Sequence, residues 1–259
     1  IASKKREKMK FGLIGYPIEH SLSPKLFDAA YQNGKDSYEL IEGSSFEDAF
    51  ARFLEGYEGI NVTAPFKELA YQRADSADSI CKLIEASNLL VKKGDSIVAH
   101  NSDYWGVKYL LRLNTIAQEH KNLLVIGCSG AGKAAALAAQ DMGFNCTIAN
   151  RNYEKAKSFV NRDGIGEMKA IPLEEIGDII DSQGVIIYAI PVALDIFKNF
   201  DLSEKIIIEA NYRNPSLDNI ICEEYINGKE WLIAQAITSF MVFTKKEPNY
   251  KKMREVLFG

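Results

Sequence analysis

The chain has 259 residues, enough at about 150 residues per domain for one large domain or two small ones. A hydrophobic content of 47% with 25% charged residues excludes a disordered, collagenous or disulfide-scaffold chain, and a net charge of −4 with acids and bases well mixed excludes general nucleic-acid binding. The longest apolar stretches, 123–128 and 185–194, fall short of the ~20 residues of a membrane span, so no membrane partner is expected.

Residues 1–10 carry a basic cluster (Lys4, Lys5, Arg6, Lys8) but no apolar stretch or cleavage site, which excludes a secretory signal. They read as a frayed leader ahead of a natural start at Met9. Cys81, Cys128, Cys146 and Cys222 form no CxxC pair and no cysteine–histidine spacing of a zinc site, so no metal is expected. They read as small buried hydrophobes in a reducing, cytoplasmic compartment.

Strands are predicted over 11–14, 38–41, 60–62, 89–91, 97–99, 123–126, 147–149, 185–190 and 206–209, mostly separated by ten or more residues suited to helices. That alternation implies an α/β class with parallel sheets and crossover helices. A helix over 104–113 and a polar stretch over 114–122 place a domain change near 103–122, before a fresh βαβ unit.

Three segments carry polar groups where strands of the first half end. Residues 15–24 place Ser21 and Ser23 on a turn entering a helix, residues 61–67 (NVTAPFK) run off a strand into another, and residues 101–106 (NSDYWG) do so again. The carboxyl ends of strands are where ligands bind in open α/β sheets. Ser23 before Pro24, and Asp103, equally suit helix N-caps. Lys67 is less easily explained as a solvated residue, because a cation in a first helical turn, here beginning near Pro65, opposes the dipole.

Residues 123–127 form a buried strand feeding a glycine turn, Gly127 to Lys133, and an alanine-rich helix that should stop at Gly143. Such a turn lets the backbone approach a pyrophosphate while the helix N-terminus stabilises the anion; the same turn also occurs as a plain strand–helix corner. At the end of the next strand the place of an NAD-reading acid holds Asn150-Arg151-Asn152, with Lys155 one turn on. A neutral residue followed by a guanidinium suits a 2′-phosphate, which favours NADP and argues against a methyltransferase; a solvated helix start is the alternative.

These segments together resemble the shikimate dehydrogenase family, from about Phe11 to the C-terminus. The family's serine-bearing loop is similar to 15–24, its N-V-T-x-P-F-K segment to Asn61–Lys67, and its N-T-D-x-x-G segment to 101–106, with Ser102 in place of threonine. The resemblance implies NADP-dependent, reversible reduction of 3-dehydroshikimate to shikimate, a step of chorismate and aromatic amino acid biosynthesis. It implies Lys67 and Asp103 as catalytic residues, and Ser21, Ser23, Asn61, Thr63, Asn88, Tyr212 and Gln235 around the substrate. It implies Gly127, Ser129, Gly130, Ala131, Asn150, Arg151 and Lys155 at the cofactor, in a monomer or homodimer.

The expected fold is two α/β domains flanking an interdomain cleft. A substrate domain spans 9–103 plus 233–259, with helices over 233–244 and 247–258, and a Rossmann-like domain spans 104–232. The chain departs from the family's pattern at Phe27 (histidine), Ser129 (glycine), 188–191 (asparagine-alanine-threonine-serine), Glu230 (glycine) and Trp231 (methionine), and is shortened after Tyr212. Two alternatives follow: a quinate/shikimate dehydrogenase using NAD, and a shikimate-binding homologue without turnover.

Overall fold

A computed structural model describes residues 8–31, 36–113 and 121–259. Most of the expected leader, and 114–120 of the expected polar connection, lie outside the described residues. The chain divides into two compact units, Ile1–Cys81 with Glu85–Ser102 and Ala236–Gly259, and Lys82–Ile84 with Asp103–Gln235.

The first unit holds strands Lys10–Gly15 (β1), Ser37–Glu42 (β2), Gly59–Val62 (β3), Ser76–Ala77 (β4), Leu89–Lys93 (β5) and Ser96–His100 (β6), in the order β2-β1-β3-β5-β6-β4. β1, β2 and β3 are parallel, as the sequence predicts, but β5 runs antiparallel to both β3 and β6. The expectation of a purely parallel sheet is corrected by a local cause. Only Gly94 and Asp95 separate β5 from β6, and a two-residue loop with Gly94 at φ +63° closes a hairpin, whereas a parallel crossover needs a dozen residues or more.

Helices Ser23–Ala30 (α1), Phe46–Gly56 (α2), Lys67–Arg73 (α3) and Ser79–Ile84 (α4) follow their strands. In α2, Ser45 caps the start by accepting the N–H of Asp48, and Phe46, Ala49, Phe50 and Phe53 share the buried face at helical spacing. These pack on Ile14, Ile60 and Val62 from the sheet.

The second unit holds Asn122–Ile126 (β7), Asn145–Asn150 (β8), Lys169–Pro172 (β9), Val185–Tyr188 (β10), Ile206–Glu209 (β11) and Glu224–Ile226 (β12). All pair in parallel, in the order β12-β11-β10-β7-β8-β9, so the first and fourth strands lie side by side at the switch point of a doubly wound dinucleotide fold. The strands from 123–126, 185–188 and 206–208 are apolar apart from Tyr188 and almost wholly buried, as a sheet covered on both faces requires. Helices Ser102–Leu113 (α5), Gly130–Asp141 (α6), Tyr153–Val160 (α7) and the short Ile176–Ile179 (α8) accompany them. Gly143, at φ +88°, follows α6 where the sequence predicts the stop.

The predicted strand 185–190 ends at Tyr188, and β4, β9 and β12, all short edge strands, carry no pattern strong enough to be predicted. The C-terminal helices are Gly228–Thr244 (α9) and Tyr250–Phe258 (α10). α9 begins five residues before its predicted start because Asn227 turns the chain, its side chain accepting the N–H of Lys229 and its carbonyl that of Glu230. Residues of α10 pack on α1, with Asn249 donating to the carbonyl of Ala30. No helix among the described residues is long and apolar enough to cross a membrane.

Candidate active site

One end of the first sheet gathers most of the substrate-side residues. The carboxyl ends of β1, β3 and β6 and the amino end of β5 all point the same way, because β5 alone is reversed. The loop after β1 lies against the loop after β3: the N–H of Thr63 donates to Ile14 and that of Tyr16 to the carbonyl of Ala64. The N–H of Val62 donates to the carbonyl of Asn88, and that of Ser87 to the carbonyl of Lys67. Asn61, Thr63, Lys67 and Asn88 are thus held by backbone bonds between adjacent segments.

On the serine loop, Ser21 Oγ accepts the N–H of Ser23 at 3.2 Å. Helix α1 has Leu22 at its N-cap position with no side-chain cap, so Ser23 is not the capping residue. Ser23 is buried and Ser21 half-buried. Lys67 is the first residue of α3, two later than the predicted start near Pro65, and it is half-buried. Asp103 is the second residue of α5, inside rather than ahead of the helix, and buried.

Asn61 and Asn88 belong to a buried polar network. Asn61 Oδ1 accepts from the Tyr38 hydroxyl at 2.9 Å, and its Nδ2 donates to the carbonyl of Asn88 at 3.2 Å and to Ser239 Oγ at 2.8 Å. Asn88 Oδ1 accepts the N–H of Ser102 at 2.7 Å while its Nδ2 donates to Ser102 Oγ at 2.9 Å. Phe27, the departure from histidine, stacks on Tyr38 with ring centroids 4.0 Å apart and meets Phe240 and Phe243 at the edge of this network. It serves as core.

In the second unit, Asp103 and Gln235 sit on helices that touch: a Cβ at Gly106, three residues after Asp103, would lie 2.9 Å from the backbone nitrogen of Gln235. Only glycine permits that approach. Tyr212 is half-buried beside a turn that Asn211 makes by accepting the N–H groups of Arg213 and Asn214. No described hydrogen bond joins Tyr212 to the other candidate residues.

The glycine turn ends β7. Gly127 has φ +104°, and a Cβ at Gly132 would fall 2.0 Å from the Gly127 carbonyl, so the first turn of α6 sits directly on the strand end. Ser129, where the family has glycine, caps α6 by accepting the N–H of Gly132 at 3.4 Å. Gly130 and Ala131 open the helix, where backbone N–H groups have no intrahelical acceptor. These groups fit a pyrophosphate.

Asn150 Oδ1 accepts the N–H of Cys128 and its Nδ2 donates to the carbonyl of Asn152. Asn152 in turn caps α7 by accepting the N–H of Lys155. Arg151 is exposed, and its side chain makes no hydrogen bond or ion pair with another described residue. Lys155 is exposed one turn on. A guanidinium held in the open at the end of the second strand suits a 2′-phosphate.

The departures at 188–191 resolve into packing. Tyr188 is fully buried, lies edge-on to Phe197 and donates to the carbonyl of Val192 at 2.6 Å; burial pushes its phenol up to about 12. Ala189 and Ile190 lie against Gly127, where an added Cβ would meet Ile190 at 2.6 Å. The segment therefore supports the turn from behind.

Sequence reasoning missed three residues. Glu209 is a fully buried carboxylate that accepts the N–H groups of Ser216 and Leu217 and the hydroxyl of Tyr225, closing the loop that carries Tyr212; the burial and the Glu209 bond raise the Tyr225 phenol. An acid ending the apolar run 206–208 is its only local signal. Lys133, buried in α6, donates to the carbonyl of Ile84. Ser239 has no motif around it at all.

Residues 13–90 match the family described as shikimate dehydrogenase substrate binding domain, and residues 112–213 the family described as shikimate / quinate 5-dehydrogenase. The chain is 31% identical to a shikimate dehydrogenase (NADP(+)) of Archaeoglobus fulgidus, over 94% of this chain and 96% of the relative. It is 29% identical to that of Bacillus subtilis, over 97% of each. Among solved structures, shikimate 5-dehydrogenase of Thermus thermophilus in complex with shikimate matches with a TM-score of 0.81 at 25% identity, over 96% of this chain and 97% of that one.

Proposed function

Because the chain belongs to the shikimate dehydrogenase family, we propose that it is the oxidoreductase that interconverts 3-dehydroshikimate and shikimate with NADP. The observation that carries this reading is the glycine turn at the switch point of the parallel sheet, tied through Asn150 to a strand end where Arg151 stands exposed in place of an acid.

Gly130 and Ala131 would hold the pyrophosphate through backbone N–H groups and the α6 dipole, while Gly127, whose own N–H donates to the carbonyl of Ala149, and Ser129 shape the turn. Arg151 and Lys155 would hold the 2′-phosphate, and Asn150 would keep the two turns in register. When bound, NADP supplies or takes up the hydride.

Lys67, protonated in the reducing direction, would give a proton from Nζ to the oxygen that gains charge, and Asp103 would be the second catalytic group, a carboxylate that balances charge during the step. In the oxidising direction Lys67 takes that proton back. Ser21, Ser23, Thr63, Asn88, Tyr212 and Gln235 supply neutral donors and acceptors for the ring hydroxyls and carboxylate, since each buried hydroxyl needs a partner. The four described cysteines are free and three are buried, which fits a reducing, cytoplasmic setting; the reading holds for a monomer or a homodimer.

The test is the loss of NADPH absorbance on adding 3-dehydroshikimate. Turnover supports the reading. Calorimetry showing shikimate binding without NADP binding overturns it in favour of a binding protein, and a preference for quinate and NAD overturns it in favour of a quinate dehydrogenase.

A further inference from the structure

We propose that Ser239, on α9, is a positioning residue for the substrate-binding end of the first unit, an inference that rests on the function proposed above. Its hydroxyl accepts from Asn61 Nδ2 at 2.8 Å and donates to Ser102 Oγ at 3.0 Å, closing a chain of hydrogen bonds from Tyr38 through Asn61, Ser239 and Ser102 to Asn88. Ser239 and Ser102 are both fully buried, Asn88 is 2% exposed and Asn61 7%.

The direction of each bond follows from the groups that have no choice. The carbonyl of Asn88 can only accept, which fixes Nδ2 of Asn61 on its side; the N–H of Ser102 can only donate, which fixes Oδ1 of Asn88 on its side. With its orientation set, Asn61 has both Nδ2 protons occupied, one by Asn88 and one by Ser239. Only a remaining lone pair on Oδ1 is left to offer a ligand. Asn61 therefore acts chiefly by holding the β3 end and Asn88 in place, and Ser239 is the group that joins this β3 pair to Ser102, the residue before Asp103.

Removing the Ser239 hydroxyl leaves a buried amide proton of Asn61 without its acceptor and breaks the link to Ser102, which weakens the hold on the β3 end and on Asn88, the residue that faces substrate. In steady-state assays with shikimate and NADP, Ser239→Ala should raise KM for shikimate about tenfold while KM for NADP stays within about twofold. Asn61→Ala with Ser239→Ala should be little worse than Asn61→Ala alone, because the two act as one unit. A general loosening of the fold would instead raise both KM values together, and that result overturns the proposal, as does an unchanged shikimate KM or a double variant whose effect is the product of the singles. Should Ser239→Ala fail to fold, Ser102→Ala breaks the same bridge from the other side, and absence of the same KM split there overturns the proposal. An inactive wild-type protein overturns the proposed function and this inference with it; an active one with an unaffected Ser239→Ala overturns the inference alone.

Discussion

Oδ1 of Asn150, the last residue of β8, accepts the backbone N–H of Cys128, the second residue of the glycine turn, at 3.1 Å. Through the same amide's bond to the carbonyl of Asn152, the turn expected to face a pyrophosphate is tied to the turn expected to face a 2′-phosphate. Asn150 and Arg151 are neighbours with separable effects.

Arg151→Ala should weaken NADP binding by about 1.5–3 kcal/mol, the range of a charge-assisted hydrogen bond, and leave NAD nearly unaffected. Asn150→Ala should weaken both cofactors together, since it releases the turn common to them. Calorimetric titration of each variant with each cofactor distinguishes the two patterns, and equal losses for Arg151→Ala would remove it from the phosphate site.

Gly132→Ala places a methyl 2.0 Å from the Gly127 carbonyl, a backbone atom that can retreat only by moving the strand end. The melting temperature should fall and NADP affinity should be lost, while shikimate binding, proposed to rest mainly on residues of the first unit, persists. Full NADP affinity in Gly132→Ala would show that the turn tolerates displacement.

Lys67→Ala should cut kcat by roughly 10²–10⁴-fold, the usual contribution of a positioned acid–base group, with a much smaller change in shikimate affinity. Asp103→Asn should do comparable damage, and the double variant should be little worse than either single one. Near-normal kcat in Lys67→Ala at neutral pH would assign the proton transfer elsewhere.

Asp78 caps α4 by accepting the N–H of Cys81 at 2.8 Å and meets Nδ1 of His100 at 3.2 Å. Burial pushes this carboxyl up, but the bonds from His100 and Cys81 outweigh it and leave Asp78 below its ordinary value of 3.8. A depressed carboxylate stabilises the fold above the unfolded-state value and loses that contribution as pH falls through the folded one. Asp78→Ala should therefore cost about 1 kcal/mol near neutral pH, the usual worth of such a cap, with a gap to wild type that closes below pH 3.8. Melting curves across that range check it; a gap constant with pH would leave the ionised form no special role.

The sequence by itself determined the two α/β halves, most of the interior strands and the glycine turn, because each depends on periodicity and turn chemistry within a few neighbouring residues. Lys67 was visible for the same reason, as a cation misplaced in a helical first turn. The reversal of β5 was not, because the predicted strands 89–91 and 97–99 stand five residues apart, and only the longer observed strands reduce the connection to the two-residue loop at Gly94. What only the tertiary structure decided was how side chains of similar composition divide their work. Phe27 and Tyr188 are core residues because aromatic neighbours from distant elements surround them. Asn61 is occupied internally because Ser239, 178 positions away, accepts from it. An amide has the same donors and acceptors wherever it stands, and only the groups folded against it fix which of them face a ligand.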